Sequence, residues 1–312
     1  MILLLAMIAA ASGQHDFDFA VGTWKTHVRR LKDGAWSDTT GTVSTRRIWN
    51  GKAYLEEIEL GALHGLALRL FDPASGQWRL YWANASLGAL AGPPAVGEFR
   101  DGRGEFYDSE SIDGKVILVR HVFSNVTASS YHFEQAFSSD RGKTWEANWI
   151  ADLTRTGPEP LAEKADAADR NRDFDFNFGK WKTRVSRLTA KKTWSDYEGT
   201  SEVTPVWNGR ASLLEVEVKG PAGAIEGLGL RLYNPAARQW NLNWANSRDP
   251  ELGPPSFGEF KDGRGEFVDV EAVGGRSVFV RNVFVLPSKF EQAFSSDGAR
   301  TWDPNWIMTF ER

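Results

Sequence analysis

Histidine is the side chain of this sequence best suited to proton transfer near neutral pH, and its distribution is uneven. All five histidines lie in the first half of the chain, at His15, His27, His64, His121 and His132. His121 stands in the run VILVRHVF, where alternation places it on one face with Val119 and Phe123. It is the best candidate for a catalytic or ligand-binding residue; the alternative is a hydrogen-bonded histidine in a core. Acid–base chemistry, if it occurs, therefore belongs to the first half.

Glutamine occupies an unusual position in two related segments. In YHFEQAF, Phe133 and Gln135 share one face of an alternating run, and Phe290 and Gln292 repeat the arrangement in KFEQAF. An amide buried without a hydrogen bond costs about 1–3 kcal/mol, so each glutamine needs a partner. That partner is either a bound ligand or a neighbouring strand.

Tryptophan residues lie on one side of another predicted strand, and the second half of the chain repeats this arrangement. The segment QWRLYWAN puts Trp78, Leu80 and Trp82 on one side, and QWNLNWAN keeps the same side while the opposite one changes. We therefore predict that this side points into the interior. Trp82 and Trp244 are then either walls of a ligand site or ordinary core residues.

Charged residues on two predicted strands are interpreted as surface pairs. Glu57 and Glu59 alternate with aliphatic residues, and Arg69 alternates with Leu68 and Leu70. If the aliphatic sides face inward, Glu57 and Arg69 become cross-strand partners on the outer face, worth about 0.2–1 kcal/mol. A catalytic carboxylate is the alternative.

The composition excludes several classes of chemistry. The 312 residues contain no cysteine, which removes disulfides, thiolate catalysis and cysteine-ligated metals. The formal net charge of -4 and the lack of long Lys/Arg runs argue against nucleic acid as a partner. No histidine pair has metal-site spacing within one element, and no phosphate-binding loop is present. We therefore predict no metal and no cofactor.

All of these residues belong to one unit that occurs twice. Trp24 and Trp181 lie 157 residues apart, and so do Trp149 and Trp306. All 14 tryptophans fall into pairs at similar spacings. This internal duplication predicts two domains, residues 15–155 and 172–312, joined by a linker rich in Pro, Ala, Asp and Glu at residues 156–171.

The dominant period within each unit is two residues. Short alternating segments are separated by turn signals such as Asp33-Gly34 and Asp101-Gly102. About eight to ten short strands and no long amphipathic helix predict an all-β fold for each unit. A closed antiparallel β-barrel is favoured because closure leaves no sheet edge exposed.

The first 14 residues have the pattern of a signal peptide. Residues 2–11 are apolar, a run too short to span a membrane, and the small residues Ala11, Ser12 and Gly13 end it. No Lys or Arg precedes the apolar run, and the alternative is a buried first strand or helix. We expect a secreted or periplasmic protein, with no stable membrane insertion after removal of the signal.

One further motif is a turn signature. SSDRGKTW, residues 138–145, fits the Ser-x-Asp-x-Gly-x-Thr-Trp pattern of the Asp-box in sialidase-type propellers, and SSDGARTW repeats it with the glycine shifted. A propeller needs several such boxes at blade spacing, whereas this chain has one in each repeat. We therefore predict a structural role in which Asp140 accepts backbone N–H groups across a turn and Trp145 packs beneath it.

Each unit opens on Gly-x-Trp and closes on a strand that ends in arginine, FAVGTW with NWIADLTR and FNFGKW with NWIMTFER. These features resemble the calycins, the superfamily of lipocalins and fatty-acid-binding proteins. The resemblance implies two tandem lipocalin-like barrels in which Arg155 stacks on Trp24 and Arg312 on Trp181. Over nearly all of both units, phrases such as DFDF, DGRGEF and FEQAFSSD are similar to the bacterial domain-of-unknown-function 1579 family, which implies a fold and no reaction.

Three functions are consistent with this sequence. The first is an exported protein that binds a small, partly apolar molecule in one or both barrels. The second is a lipocalin-like enzyme of the hydratase, cyclase or isomerase type working in the first barrel, by analogy with carotenoid-hydratase-type proteins. The third is a structural or interaction module whose barrels are filled by their own side chains. The third requires a barrel without internal space, whereas the first two require a hollow one.

Overall fold

Alternating apolar and polar residues form β-strands through most of the chain. The computed structural model describes residues 13–112, 114–161, 164–165, 167–168 and 170–312. The predicted signal peptide lies outside the described residues except for Gly13 and Gln14, and so does part of the predicted linker. The chain divides into two units, one containing residues 1–85 and 90–161 and the other residues 86–89 and 162–312.

The described residues of the first unit form ten antiparallel strands that close into a barrel, with one short extra strand beside them. The strands are β1 (Gly22–Lys32), β2 (Ala35–Ile48), β3 (Ala53–Leu60), β4 (Leu63–Asp72), β5 (Gln77–Asn84), the short β6 (Ala89–Leu90), β7 (Ala95–Arg100), β8 (Arg103–Ile112), β9 (Lys115–Ser124), β10 (Ser130–Ser138) and β11 (Glu146–Gly157). Neighbours in sequence pair with each other, β5 pairs with β7, and β1 pairs with β11 to close the barrel.

The described part of the second unit repeats this up-and-down order with ten strands. They are β12 (Gly179–Leu188), β13 (Trp194–Val206), β14 (Ala211–Gly220), β15 (Gly223–Asn234), β16 (Gln239–Asn246), β17 (Ser256–Lys261), β18 (Arg264–Val273), β19 (Arg276–Val285), β20 (Lys289–Ser295) and β21 (Asp303–Glu311). Pairing of β12 with β21 closes the second barrel. The all-β prediction of two tandem antiparallel barrels is confirmed.

The aromatic-acidic phrase DFDF forms a plug in each barrel. In the first barrel it leads into a 3₁₀ turn, Asp18–Ala20, which has no side-chain cap. Phe17 is fully buried and lies edge-on to the rings of Trp78 and Phe123, at 5.1 and 5.2 Å between ring centroids. Phe174 repeats this contact with Trp240 at 4.9 Å in the second barrel. Burial of one phenylalanine contributes about 1.5–3 kcal/mol, so the phrase is scaffold.

The Gly-x-Trp motif of the first barrel holds an arginine against the plug. Arg155 lies over the Trp24 ring at 4.1 Å and donates hydrogen bonds to the carbonyl oxygens of Phe19 and Val21. Gly22 has φ of +138°, and a Cβ there would lie 2.3 Å from Nη1 of Arg155. Glycine is therefore required both by its backbone angle and by the close guanidinium.

In the second barrel the corresponding pair is looser. Arg312 lies over the Trp181 ring at 4.6 Å. No hydrogen bond of Arg312 to another described residue accompanies this contact. A Cβ at Gly179 would meet nothing within 4 Å, in contrast to Gly22. The two closures thus share the cation–π contact and differ in the backbone hydrogen bonds.

The two Asp-box segments are hydrogen-bonded turns. Asp140 Oδ1 accepts from the backbone N–H groups of Lys143 and Thr144 at 3.0 and 2.9 Å, and Oδ2 accepts from the Thr144 hydroxyl at 2.8 Å. Arg120 stacks on Trp145 at 4.8 Å. Asp297 accepts the same set of bonds from Arg300 and Thr301.

We expect Asp140 and Asp297 to titrate near pH 2. Hydrogen bonds from the backbone N–H and hydroxyl of Thr144 lower the pKa of Asp140 from 3.8 to about 2, and those of Thr301 do the same for Asp297. Because the folded pKa is depressed, the stabilisation is complete above the ordinary pKa and is lost as the pH falls towards 2. Carboxyl ¹³C NMR measures both midpoints. A midpoint near 4 would contradict these turns, and Asp140→Ala should disturb the first turn while the second serves as control.

Candidate functional site

A cavity of about 520 Å³ occupies the interior of the first barrel. Natural small-molecule sites span about 300–1,000 Å³. The cavity wall includes aromatic side chains of β5, β10 and β11, namely Trp82, Phe133, Phe137 and Trp149. The first barrel is therefore hollow, whereas the hypothesis of a structural or interaction module requires barrels filled by their own side chains.

Trp82 owes its position to two small residues on the neighbouring strand. Ala67 of β4 lies opposite Trp82 in the strand register, and the indole extends over Gly65. A Cβ at Gly65 would lie 2.2 Å from the indole ring. In the second barrel, Gly227 lies under Trp244 in the same way, with a Cβ at 2.0 Å. The glycine allows the ring to lie flat against the barrel wall.

His121 of β9 lines the cavity and has an acidic partner. Its Nε2 lies 3.1 Å from Oδ2 of Asp108 on β8, and the two side chains are 17% and 10% exposed. A carboxylate only accepts, so Nε2–H donates and Nδ1 of the neutral ring is left as an acceptor. The ring of Phe133 stacks against the imidazole at 6.1 Å. His121 is thus both hydrogen-bonded and open to the cavity, and a base oriented by a carboxylate can accept a proton from a ligand.

Glu110 lies two residues after Asp108 on the same inward face of β8. It has no hydrogen-bond or ion-pair partner among the described residues. Burial and then the nearby charge of Asp108 raise its pKa, and His121 opposes them. Oδ1 of Asp108 is also buried without a hydrogen-bond partner. Asp108 therefore has one acceptor oxygen that the barrel itself does not satisfy, whereas the Glu110 carboxyl is exposed.

Two further polar groups in the cavity wall are available to a ligand. Gln135 lies opposite His121 on β10 and makes no hydrogen bond to the residues that the structure describes. Thr26 is 1% exposed, and its hydroxyl has no partner. A buried hydroxyl without a partner costs about 1–3 kcal/mol at Thr26, whereas the partly exposed amide of Gln135 is open to a ligand.

The interpretation of Glu57 and Arg69 as an outer-face pair was wrong. Arg69 is 1% exposed, lines the cavity, and donates from Nη2 to Glu56 at 2.5 Å. Glu56 also accepts from the Thr45 hydroxyl at 3.2 Å. The Arg69 guanidinium lies over the rings of Phe17 and Phe123 at 4.5 and 5.3 Å. The physical reason for the error is that the aliphatic residues of β4 face away from the interior.

Burial raises the pKa of Tyr131 well above its usual value, and the charge of Glu56 adds to the effect. The phenol therefore stays protonated and can donate. Tyr131 also packs edge-on against Trp24 at 4.8 Å. At this end of the cavity Nε and Nη1 of Arg69 are buried without a hydrogen-bond partner, although Nη2 is bonded to Glu56.

The second barrel places equivalent residues in a different hydrogen-bond network. Gln292 donates to Asn282 at 3.1 Å, and Asn282 donates to Ser256 at 2.7 Å. The Ser256 hydroxyl donates to Asp269, whose pKa is raised by burial. Asn282 stands where the first barrel has His121, and Ser256 where it has Ala95. The predicted ligand residue Gln292 is thus bonded to a neighbouring strand.

Other interior positions of the second barrel are also paired. The Thr183 hydroxyl bonds Ser201 at 2.7 Å, whereas Val43 occupies the Ser201 position beside Thr26. Met308 is buried where the first barrel has Ala151. Phe290 packs on Phe284 at 4.9 Å, and Trp244 is 37% exposed. The pairing is not complete, because Oδ1 of Asp269 has no hydrogen-bond partner.

The structure brings four residues singled out from the sequence to one cavity: Trp82, His121, Phe133 and Gln135. The residues assigned structural roles in the first repeat lie elsewhere: Trp24, Arg155, Asp140 and Trp145. Sequence reasoning missed Asp108, Glu110 and Glu56. A signal existed for the first two, since the second repeat keeps Asp269 and Glu271 at the same spacing while their neighbours change.

Metal clusters and membrane-spanning helices are both absent from the described part of the chain. Among the described residues, no group of three or more His, Asp or Glu side chains is arranged to hold a metal ion. Within the same residues, no helix has the length and apolar character needed to cross a membrane.

Comparisons with known proteins show distant similarity at most. No family model and no curated protein matches the chain, so the similarity to the domain-of-unknown-function 1579 family is not confirmed. A solved structure of unknown function from the domain-of-unknown-function 3598 family of Nostoc punctiforme is 12% identical, with coverage of 96% of this chain and 98% of that chain and a TM-score of 0.24. Two variants of the vaccine antigen transferrin binding protein B from Haemophilus parasuis are 7% and 9% identical, with TM-scores of 0.15 and 0.18. Each of these comparisons covers 93% of this chain and 75% of that chain. Similarities at these TM-scores carry no information about function.

Proposed function

We propose that the first barrel binds a small, partly apolar molecule in its 520 Å³ cavity. The observation that carries this proposal is the presence of unpaired polar groups beside apolar side chains in the cavity wall. Gln135 and the Thr26 hydroxyl have no hydrogen-bond partner among the described residues. A ligand with an apolar body and a few polar atoms would satisfy both parts of the wall.

The second repeat supports this assignment by contrast. Its glutamine, Gln292, is bonded to Asn282, and Thr183 is bonded to Ser201. The glutamine and threonine positions are therefore paired in the second barrel and unpaired in the described residues of the first. We assign ligand binding to the first barrel on this basis.

The proposal predicts saturable binding of the neutral apolar dye N-phenyl-1-naphthylamine. Ala151→Met introduces the side chain that the second barrel has at this position, directly into the cavity wall. Overpacking costs about 1–3 kcal/mol, so we expect the dye affinity to fall roughly tenfold or more. Titration of dye fluorescence measures the dissociation constant.

Thr154→Met is the matched control, because Thr154 is exposed on the same strand. It should leave dye affinity unchanged. Absence of dye binding to the wild-type chain would contradict the proposed function. Equal affinities of wild type and Ala151→Met would place the bound dye outside this cavity.

A further inference from the structure

Asp108, Glu110 and His121 form one corner of the cavity, here called the acidic corner. Asp108 is bonded to His121 through Oδ2, while its other oxygen is buried and has no hydrogen-bond partner. Glu110 carries a second carboxylate into the same space. Two carboxylates face a single imidazole, so the corner has an excess of negative charge whenever both acids are ionised.

The other charged groups of the wall do not balance this charge. Arg69 is paired with Glu56 and stacked between aromatic rings. Arg30 is exposed and lies over the Trp149 ring at 5.5 Å. Among the acidic residues in the described cavity wall, Glu110 is therefore the one that forms no ion pair.

Aromatic rings adjoin the acidic corner on the same inward face. Phe137 of β10 lies opposite Val119 of β9, and Val119 lies opposite Asp108 of β8. Phe133 stacks on the His121 ring. Cations are stabilised over aromatic faces by about 0.5–2 kcal/mol, increasingly so when desolvated. The corner therefore offers both carboxylates and ring faces to a positive group.

We propose that the acidic corner binds the protonated amine of a ligand whose apolar body lies against the aromatic wall. This inference rests on the proposed function and specifies the ligand class. An ammonium group would donate to Glu110 and would be attracted by the adjacent charge of Asp108. A carboxylate-bearing ligand would instead meet like charge at this position.

Three indole compounds with different head groups test the proposal: tryptamine, tryptophol and indole-3-propionate. Each is titrated against the dye-loaded wild-type chain at neutral pH, and displacement of the dye gives its affinity. We expect tryptamine to bind at least tenfold more tightly than tryptophol, and indole-3-propionate to bind most weakly.

Variants then locate the amine. Glu110→Gln should reduce tryptamine affinity about tenfold, a larger factor than any change in tryptophol or dye affinity. Glu105→Gln is the control, because Glu105 lies on the same strand and bonds Arg103 and Tyr107. Dye binding by each variant verifies that its barrel has folded.

The outcomes separate this proposal from the function on which it rests. Dye binding together with equal displacement by tryptamine and tryptophol overturns the amine assignment and leaves the proposed function intact. Tight tryptamine binding that Glu110→Gln does not change overturns the acidic corner as the amine site. If the wild-type chain binds no dye, the proposed function itself fails. The comparison of the three compounds needs no variant, so it holds even if Glu110→Gln does not fold.

Discussion

Replacement of Glu56 by leucine is expected to destabilise the first barrel by about 3–5 kcal/mol, the usual cost of leaving one member of a buried ion pair without its partner. Arg69 would lose the acceptor of its Nη2 while remaining 1% exposed. The hydroxyl of Thr45 would lose its acceptor too. Contacts with Phe17 and Phe123 remain and keep the loss from being larger.

The second barrel supplies a specific rescue for this variant. There Leu214 occupies the Glu56 position, and Arg231 donates to Asn177 at 2.9 Å instead. Asn177 stands where the first barrel has Ala20, and both residues are fully buried. Glu56→Leu combined with Ala20→Asn should therefore recover more than half of the lost stability.

Hydrogen exchange resolved by strand measures the effect in the intact chain. The slowest amides of β1–β11 report the opening free energy of the first barrel, and those of β12–β21 are the internal control. A loss below about 1 kcal/mol for Glu56→Leu would show that Arg69 does not depend on this carboxylate. Failure of Ala20→Asn to restore stability would show that the two arrangements are not interchangeable.

Arg155→Ala should destabilise the first barrel by about 2–4 kcal/mol, because the guanidinium makes several charge-assisted hydrogen bonds. It donates to the carbonyl oxygens of Phe19, Val21 and Ala128 and covers the Trp24 ring. These bonds tie the plug to the last strand, so their loss should also speed exchange in residues 17–22.

Arg312→Ala is the matched comparison for this variant. Its contact in the described chain is the Trp181 ring alone, so we expect a loss of about 1 kcal/mol or less in the second barrel. The same exchange measurement gives both values. Equal losses in the two barrels would mean that stacking on tryptophan, rather than hydrogen bonding to the plug, accounts for the role of Arg155.

Sequence patterns predicted the barrels because period-two alternation recurs in many of the strands of both copies. The inward side of QWRLYWAN was recognisable because the second copy retains it while the other side changes. His121 and Gln135 were recognisable as polar residues on apolar faces. These are local properties, and local patterns suffice for them.

The ion pair was missed for a definite physical reason. β3 is buried on both faces, with Leu55 at 1% and Glu56 at 7% exposure, so polarity does not distinguish inside from outside. If the inward face of such a strand is assigned wrongly, every side chain of the strand is placed on the wrong surface. On β4, Leu66, Leu68 and Leu70 are fully buried although Arg69 faces the cavity. The assumption that the aliphatic side of a strand faces the barrel interior was therefore wrong for β4.

Thr26 and Thr183 occupy equivalent positions in the two barrels, and their hydrogen bonding bears on which side chains natural selection retains beside them. Thr183 is bonded to Ser201, whereas Val43 at the equivalent position leaves the Thr26 hydroxyl without a partner among the described residues. Selection for stability alone would favour serine at position 43, because it pairs a buried group. A binding site is maintained only while its polar atoms stay free for the ligand, which is a trade-off between stability and activity. Under the proposed function, Thr26 and Thr183 are therefore opposite outcomes of that trade-off within one polypeptide.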